Sequence, residues 1–286
     1  MELSVRRIEE MMSLVLDEGR QRLDLRAVRF VDPYGLLLLD LLIQEQAERG
    51  TPLEVAWPTR ASVAGWIRAM GLRTDLHTSQ PQRLPSVRAA LQPVARIQNE
   101  RAISELVDRF DGRLAARYPL DESPRRTLIR IMIELFQNIP QHSNATGEAP
   151  NPHGIAAMQD YRDGIVLAIA DKGVGVRASL SVRGDEIVGS DAEAVDAVVL
   201  RGLSRFRDPG RGQELMRIFR MVRSWDGTIA VRSGSALLYH DPTRGADLQD
   251  VAFFPGVQIA LCIPRRVFGM GEVDVDVQRV FNEPDE

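Results

Sequence analysis

Glu134-Leu-Phe-Gln-Asn138-Ile-Pro-Gln-His142 sets a carboxylate, a carboxamide and an imidazole at steps of four inside an apolar stretch. At 3.6 residues per turn the three side chains leave one face of a helix, and Ile129, Ile131, Met132, Ile133, Leu135 and Phe136 supply the rest. Three polar groups in register on a largely buried helix are costly to desolvate unless something uses them. A carboxylate beside a carboxamide suits a Mg2+-nucleotide site, in which an oxygen ligand holds the ion and the acid orients water or a hydroxyl. The same spacing also describes a surface helix with a polar stripe, so the stretch decides nothing without its neighbours.

Downstream, Ile165-Val-Leu-Ala-Ile-Ala170 is a short continuous apolar run of buried-strand type, and it leads directly into Asp171-Lys-Gly173-Val-Gly175. An acid at a strand end can accept from the amino group of a base, and the glycines let backbone approach a ligand. Asp208-Pro-Gly210-Arg211-Gly212-Gln-Glu214 then opens a helix. Glycines at a helix N-terminus present unpaired N–H groups and the positive end of the dipole to a phosphate. Arg205, Arg207 and Arg211 lie close together in this run, and Arg211 is the one expected to turn toward phosphate.

In this order the three motifs resemble the N, G1 and G2 boxes of the GHKL (Bergerat-fold) ATPases, the superfamily of gyrase B, MutL, histidine kinases and anti-sigma-factor serine kinases. The resemblance covers about Leu91 to Arg265. It implies a two-layer α/β sandwich with a mixed, mostly antiparallel sheet, and ATP with Mg2+ as ligands. It further implies Glu134 as general base, Asn138 as Mg2+ ligand and His142 as a phosphate contact. Asp171 corresponds to the adenine-binding acid, Gly173 and Gly175 to the turn beneath the base, and Gly210 and Gly212 to the phosphate-contacting hinge of an ATP lid. Three departures stand out. Pro140 removes a hydrogen bond from the N-box helix and predicts a kink there. Glu214 stands where the family has a third glycine, and places negative charge near the phosphates. Val257, in the closing strand Gly256–Pro264, stands where a threonine usually helps hold adenine.

The chain has 286 residues, 44% of them apolar, enough for two modest cores. A net charge of −4 asks for neither nucleic acid nor an anionic membrane as partner. Lys172 is the single lysine among arginines, and the single Cys262 excludes an intrachain disulfide and reads as core. No signal peptide or run of ~18 apolar residues is visible, so a cytoplasmic location is expected.

Residues 1–22 read as an amphipathic helix through Val5, Ile8, Met11, Met12 and Val15. Leu23–Val31 reads as a strand, Asp32-Pro-Tyr-Gly35 as a turn and Leu36–Arg49 as a helix stopped by Gly50. A second strand follows at Leu53–Trp57, and a second helix at Ala61–Met70 closed by Gly71. Strand, helix, strand, helix with short joints predicts a parallel α/β unit. From about Arg22 to Leu72 this resembles the STAS domain of anti-sigma-factor antagonists, with Asp32-Pro-Tyr-Gly35 in place of the family's D-S-S-G and its phosphorylatable serine. Tyr34 reads as a turn residue with a buried ring.

The organisation expected is a STAS-like unit over 1–75, a linker over 76–92, a GHKL unit over 93–266 and a tail over 267–286. Within the GHKL unit, strands are predicted at Pro93–Ile97, Ile155–Met158, Ile165–Ala170, Thr228–Val231 and Val257–Ile263. Helices are predicted at Ala102–Ala116, at Ala192–Leu200 inside a lid running from Val176 to Pro209, and on either side of Glu134 after an N-terminal Ser123-Pro124. Three functions fit: a nucleotide-dependent regulatory switch with weak ATPase activity, a protein serine/threonine kinase of anti-sigma-factor type, or an interaction scaffold with a degenerate nucleotide site. In the switch reading the STAS-like unit or a partner reads the change; a regulatory protein partner, of STAS or sigma-factor type, is expected, and a homodimer is admitted.

Overall fold

Asp32-Pro33-Tyr34-Gly35 starts a helix instead of forming an isolated turn, and the packing of the N-terminal unit follows from that. In the computed structural model the described residues are 2–72, 90–97, 99–117, 122–143, 154–181, 189–204 and 212–269. The N-terminal unit runs β1 (Glu2–Leu3), α1 (Ile8–Leu16), β2 (Arg22–Asp24), β3 (Phe30–Val31), α2 (Pro33–Glu48), β4 (Glu54–Ala56) and α3 (Ala61–Ala69). Asp32 caps α2: its carboxylate accepts from Gly35 N at 2.7 Å and from Val5 N at 2.9 Å, with Pro33 in the first turn, where a missing N–H costs nothing. The ring of Tyr34 is buried, as its reading required.

Two expectations here are corrected. The helix predicted over residues 1–22 is confined to Ile8–Leu16, because Glu2–Leu3 pairs in parallel with Phe30–Val31. The strand predicted over Leu23–Val31 is split by a turn in which Val28 N donates to Leu25 O at 2.9 Å. Its halves join different ribbons, β1–β3 and β2–β4, both parallel as the strand–helix order requires.

The remainder runs β5 (Ala90–Ile97), α4 (Glu100–Arg117), α5 (Glu122–Ser143), β6 (Gly154–Tyr161), β7 (Gly164–Asp171), α6 (Gly175–Ser181), α7 (Asp191–Val199), α8 (Glu214–Ser224), β8 (Thr228–Asp241), β9 (Gly245–Pro264) and a 3-10 turn, Arg265–Phe268. The sheet order is β5-β6-β7-β9-β8 and every neighbouring pair is antiparallel, so the sheet expected to be mixed is wholly antiparallel among the described strands. Tight connections at Arg162-Asp163 and Pro242-Thr243-Arg244 make β6–β7 and β8–β9 hairpins, which are antiparallel by construction. β8 and β9 extend well beyond Thr228–Val231 and Val257–Ile263, because Asp241 Oδ1 accepts from Thr243 N and Arg244 N, both at 2.9 Å, and Gly245 takes a φ of +80° to close the turn.

Residue alternation along β7 explains its continuous apolar run. Ile165, Leu167 and Ile169 pack with residues of α4, α5 and α8, whereas Val166, Ala168 and Ala170 join one apolar cluster with α1 and α2. Both faces are covered, so no polar alternation is needed. The helices and sheet of the C-terminal unit form two layers, and the N-terminal unit covers the other face of the sheet as a third. α2 is apolar nearly all round, with Leu36, Leu37, Leu38, Leu39, Leu41 and Leu42 buried, which only a helix enclosed on several sides sustains.

The linker predicted over 76–92 lies outside the described residues as far as 89, and its last positions, 90–92, belong to β5, which begins at Ala90 and not at Pro93. α5 begins at Glu122, so Ser123 and Pro124 lie inside its first turn instead of capping it. The helix continues through Pro140, the position of the expected kink, to Ser143. Residues 270–286 of the predicted tail lie outside the described residues.

Candidate functional site

A cavity of about 200 Å³ opens between α5, the ends of β7 and β9, α6 and the start of α8. Glu134, Asn138, Asp171, Gly175, Gly212 and Val257 all line it, so the three motifs, far apart in sequence, meet at one place. The helical step of four puts Glu134 and Asn138 on the same side of α5, while Leu135, Phe136 and Ile139 are buried against the sheet. Arg130, one turn earlier, donates from Nε to Glu134 Oε1 at 3.1 Å. Asn138 is half-buried.

Asp171 ends β7 and is only 8% exposed. Its Oδ1 accepts from Gly173 N at 2.7 Å and from Val257 N at 3.3 Å. Burial pushes this carboxyl up to about 6, against the lowering effect of those two amides. Gly256, at a φ of +84°, makes the arrangement feasible: a Cβ there would run into the Asp171 carbonyl and sit 2.7 Å from Oδ1. Ser233 Oγ accepts from Val176 N at 2.9 Å and donates to Gly256 O at 3.0 Å, tying the start of α6 to the same turn. Gln258 Nε2 donates to Asp171 O at 2.9 Å and to Pro255 O at 2.8 Å.

Each predicted site residue can now be placed. Glu134, Asn138, Asp171, Gly175 and Gly212 come together in the cavity. Gly173 does not line it and acts through its amide on Asp171. Gly175 opens α6 in the left-handed conformation, at a φ of +78°. Gly212 N donates to Glu214 Oε1 at 3.1 Å, so the amide expected to meet phosphate is satisfied by the acid that replaces the third glycine. Val257 supplies a backbone N–H to Asp171 where a hydroxyl was missed. Gly210 and Arg211 lie outside the described residues, as does the side chain of His142 in the last turn of α5.

Sequence reading passed over Ser233, Gln258 and the buried Ser179 and Ser204, which also line or support the cavity. Isolated serines carry no signal. Gly256 carried one, since a glycine opening a strand marks a close backbone approach.

Chemically, the cavity offers an apolar slot with one acceptor at its end. Ile169, Val176, Leu180 and Ile259 supply apolar lining, and the Glu134 carboxylate and the Asn138 carboxamide belong to residues that line the same cavity. Among the described residues no three His, Cys, Asp or Glu side chains are grouped to hold a metal. A cation here would be shared between the Asn138 oxygen and oxygens of the ligand, which is the habit of Mg2+. No family model matches the chain, and no curated protein is significantly similar to it.

Proposed function

We propose that this chain binds ATP with Mg2+ and works as a nucleotide-dependent regulatory switch with weak ATPase activity. The observation that carries the reading is the state of Asp171: buried at the end of an apolar slot, with one oxygen held by the amides of Gly173 and Val257 and the other left to accept from an exocyclic amino group. A carboxylate so placed recognises a planar, amino-bearing base. Its neighbours suit the rest of the nucleotide. Asn138 would hold Mg2+ together with phosphate oxygens, and the ion when bound would neutralise phosphate charge. Glu134 sits one turn away on the same side of α5 and is oriented by Arg130, in the position of a base that accepts a proton from an attacking water. The bond from Gly212 to Glu214 weighs against tight phosphate binding and favours slow turnover over efficient phosphoryl transfer.

Incubation with labelled ATP and Mg2+, alone and with candidate STAS-type proteins, tests the reading. Hydrolysis without transfer is the expected result. Transfer to protein would replace it with the kinase reading, and neither binding nor hydrolysis would leave a scaffold.

A further inference from the structure

Two polar links run from the N-terminal unit to the residues around Asp171. Arg232 of β8 is fully buried, and Glu9 of α1 is its carboxylate partner, at 3.1 Å and 3.2 Å from Nε. The guanidinium also donates to Gln258 Oε1 at 3.3 Å and to the Ala252 carbonyl, and lies 5.6 Å from the ring centre of Phe254. An arginine can only donate, so the carboxamide oxygen of Gln258 must face it. That orientation turns Nε2 toward the carbonyls of Asp171 and Pro255. Pro255 leads into Gly256 and Val257, whose amide in turn holds Asp171 Oδ1. On the other side, the next residue after the acid is the chain's single lysine, Lys172, only 12% exposed, with Nζ 2.5 Å from Glu48 and 3.1 Å from Glu45 of α2.

We infer that Glu9, Arg232 and Gln258 on one side, and Glu45, Glu48 and Lys172 on the other, are positioning residues for Asp171, so that docking of the N-terminal unit and occupancy of the cavity are one coupled equilibrium. This rests on the nucleotide reading for the identity of the ligand, but not for the coupling. Gln258 has no alternative orientation while Arg232 is buried beside it, and Arg232 is stable in the interior only while Glu9 neutralises it. Loosening α1 therefore frees the carboxamide that fixes the backbone of the acid. Loosening α2 frees the residue that follows it. By reciprocity, a ligand that needs Asp171 in this position tightens both helices against the sheet. A partner that pulls on the N-terminal unit would be read at the cavity through the same bonds.

The test uses the full chain and two measurements. Amide exchange at Gly173 and Val257, the two donors to Asp171, is followed without ligand, and ATP–Mg2+ affinity is followed by calorimetry. Glu9→Gln keeps an acceptor for Arg232 but removes its charge. Lys172→Glu breaks the second link, and Lys172→Glu combined with Glu45→Lys and Glu48→Lys restores it with the charges exchanged. Each single variant is expected to speed exchange at both amides and to weaken ATP by about 5- to 150-fold, the usual range of coupling between sites. The exchanged-charge variant is expected to return toward the parent in both, which a local loss at the lysine would not do. Unchanged exchange and affinity in Glu9→Gln and Lys172→Glu, while Asp171→Asn weakens ATP in the same assay, would overturn the coupling and leave the nucleotide reading intact. If the parent chain does not bind ATP, the nucleotide reading fails and the exchange measurements alone decide the coupling. If Glu9→Gln does not fold, the lysine pair and its rescue decide it.

Discussion

Replacing Asp171 by Asn separates recognition from folding, because the two effects have opposite signs. In the parent, Oδ1 is held by the amides of Gly173 and Val257, and on the proposed reading Oδ2 accepts from the base. The asparagine oxygen will keep the two amides, so its NH2 group turns toward the amino group of the base and donor meets donor. The loss is one hydrogen bond to a charged acceptor, about 1.5–3 kcal/mol, or roughly 10- to 150-fold in Kd. Stability moves the other way. Burial raises this carboxyl from 3.8 to about 6, so holding it ionised at neutral pH costs on the order of 3 kcal/mol that a neutral asparagine does not incur. Calorimetric titration of ATP–Mg2+ should therefore show a ten- to hundredfold weaker Kd in Asp171→Asn, with an unchanged or higher melting temperature. The parent should show a matching pH dependence: below about 6 the carboxylate protonates, Oδ2 becomes a donor, and affinity falls about tenfold per pH unit, a dependence absent from the variant. Equal Kd values in the two proteins, with parent binding confirmed, would refute the assignment of Asp171. A lower melting temperature with parallel loss of binding would show that the acid is structural.

Three further outcomes follow from the same geometry. Glu134→Ala should retain ATP and lose turnover by roughly 10²- to 10⁴-fold, whereas Asn138→Ala should lose the Mg2+-dependent part of binding; steady-state hydrolysis and calorimetry with and without Mg2+ separate them, and full turnover in Glu134→Ala would remove the acid from the reaction. Amide exchange in α6 and over 189–204, segments that wall the cavity through Val176, Ser179, Val198 and Ser204, should slow when a non-hydrolysable ATP analogue and Mg2+ bind and slow less with ADP; identical exchange in all three states would exclude a nucleotide-gated lid. Asp32, fully buried at the N-cap of α2, is pushed by burial up to about 7, so the native state holds a proton there that the unfolded chain has lost above pH 4 or so, and stability falls as pH rises toward 7. Asp32→Ser, which keeps a capping oxygen, should show a slope of unfolding free energy between pH 5 and 7 that is flatter than the parent's by about 1.4 kcal/mol per pH unit; equal slopes in denaturant titrations would show that Asp32 does not titrate there.

Sequence alone was enough for several features set by periodicity or by local backbone chemistry. The step of four put Glu134 and Asn138 on one side of α5, the apolar run before Asp171 marked a strand covered on both faces, and Gly50 and Gly71 stopped their helices at positive φ of +75° and +82°. Local patterns carry such information because each is set by neighbours within a turn or a strand. The lengths of β8 and β9, the splitting of Leu23–Val31 and the third layer were not legible, since each depends on which strand or helix arrives from elsewhere. Asp32-Pro-Tyr-Gly35 shows the limit well. Its residues suit a turn and a helix start equally, and only the amide of Val5, brought alongside by β1, selects the cap. The same holds at the cavity. The acid at the end of β7 was visible in the sequence, but its environment was assembled by the fold: Val257 and Gly256 close over it from β9, Ser233 ties in α6, and the N-terminal unit reaches it through Arg232 and Lys172. Hydrogen bonds across such separations leave no periodic trace in a sequence, because they are chosen by packing and by the cost of leaving buried polar groups unpaired.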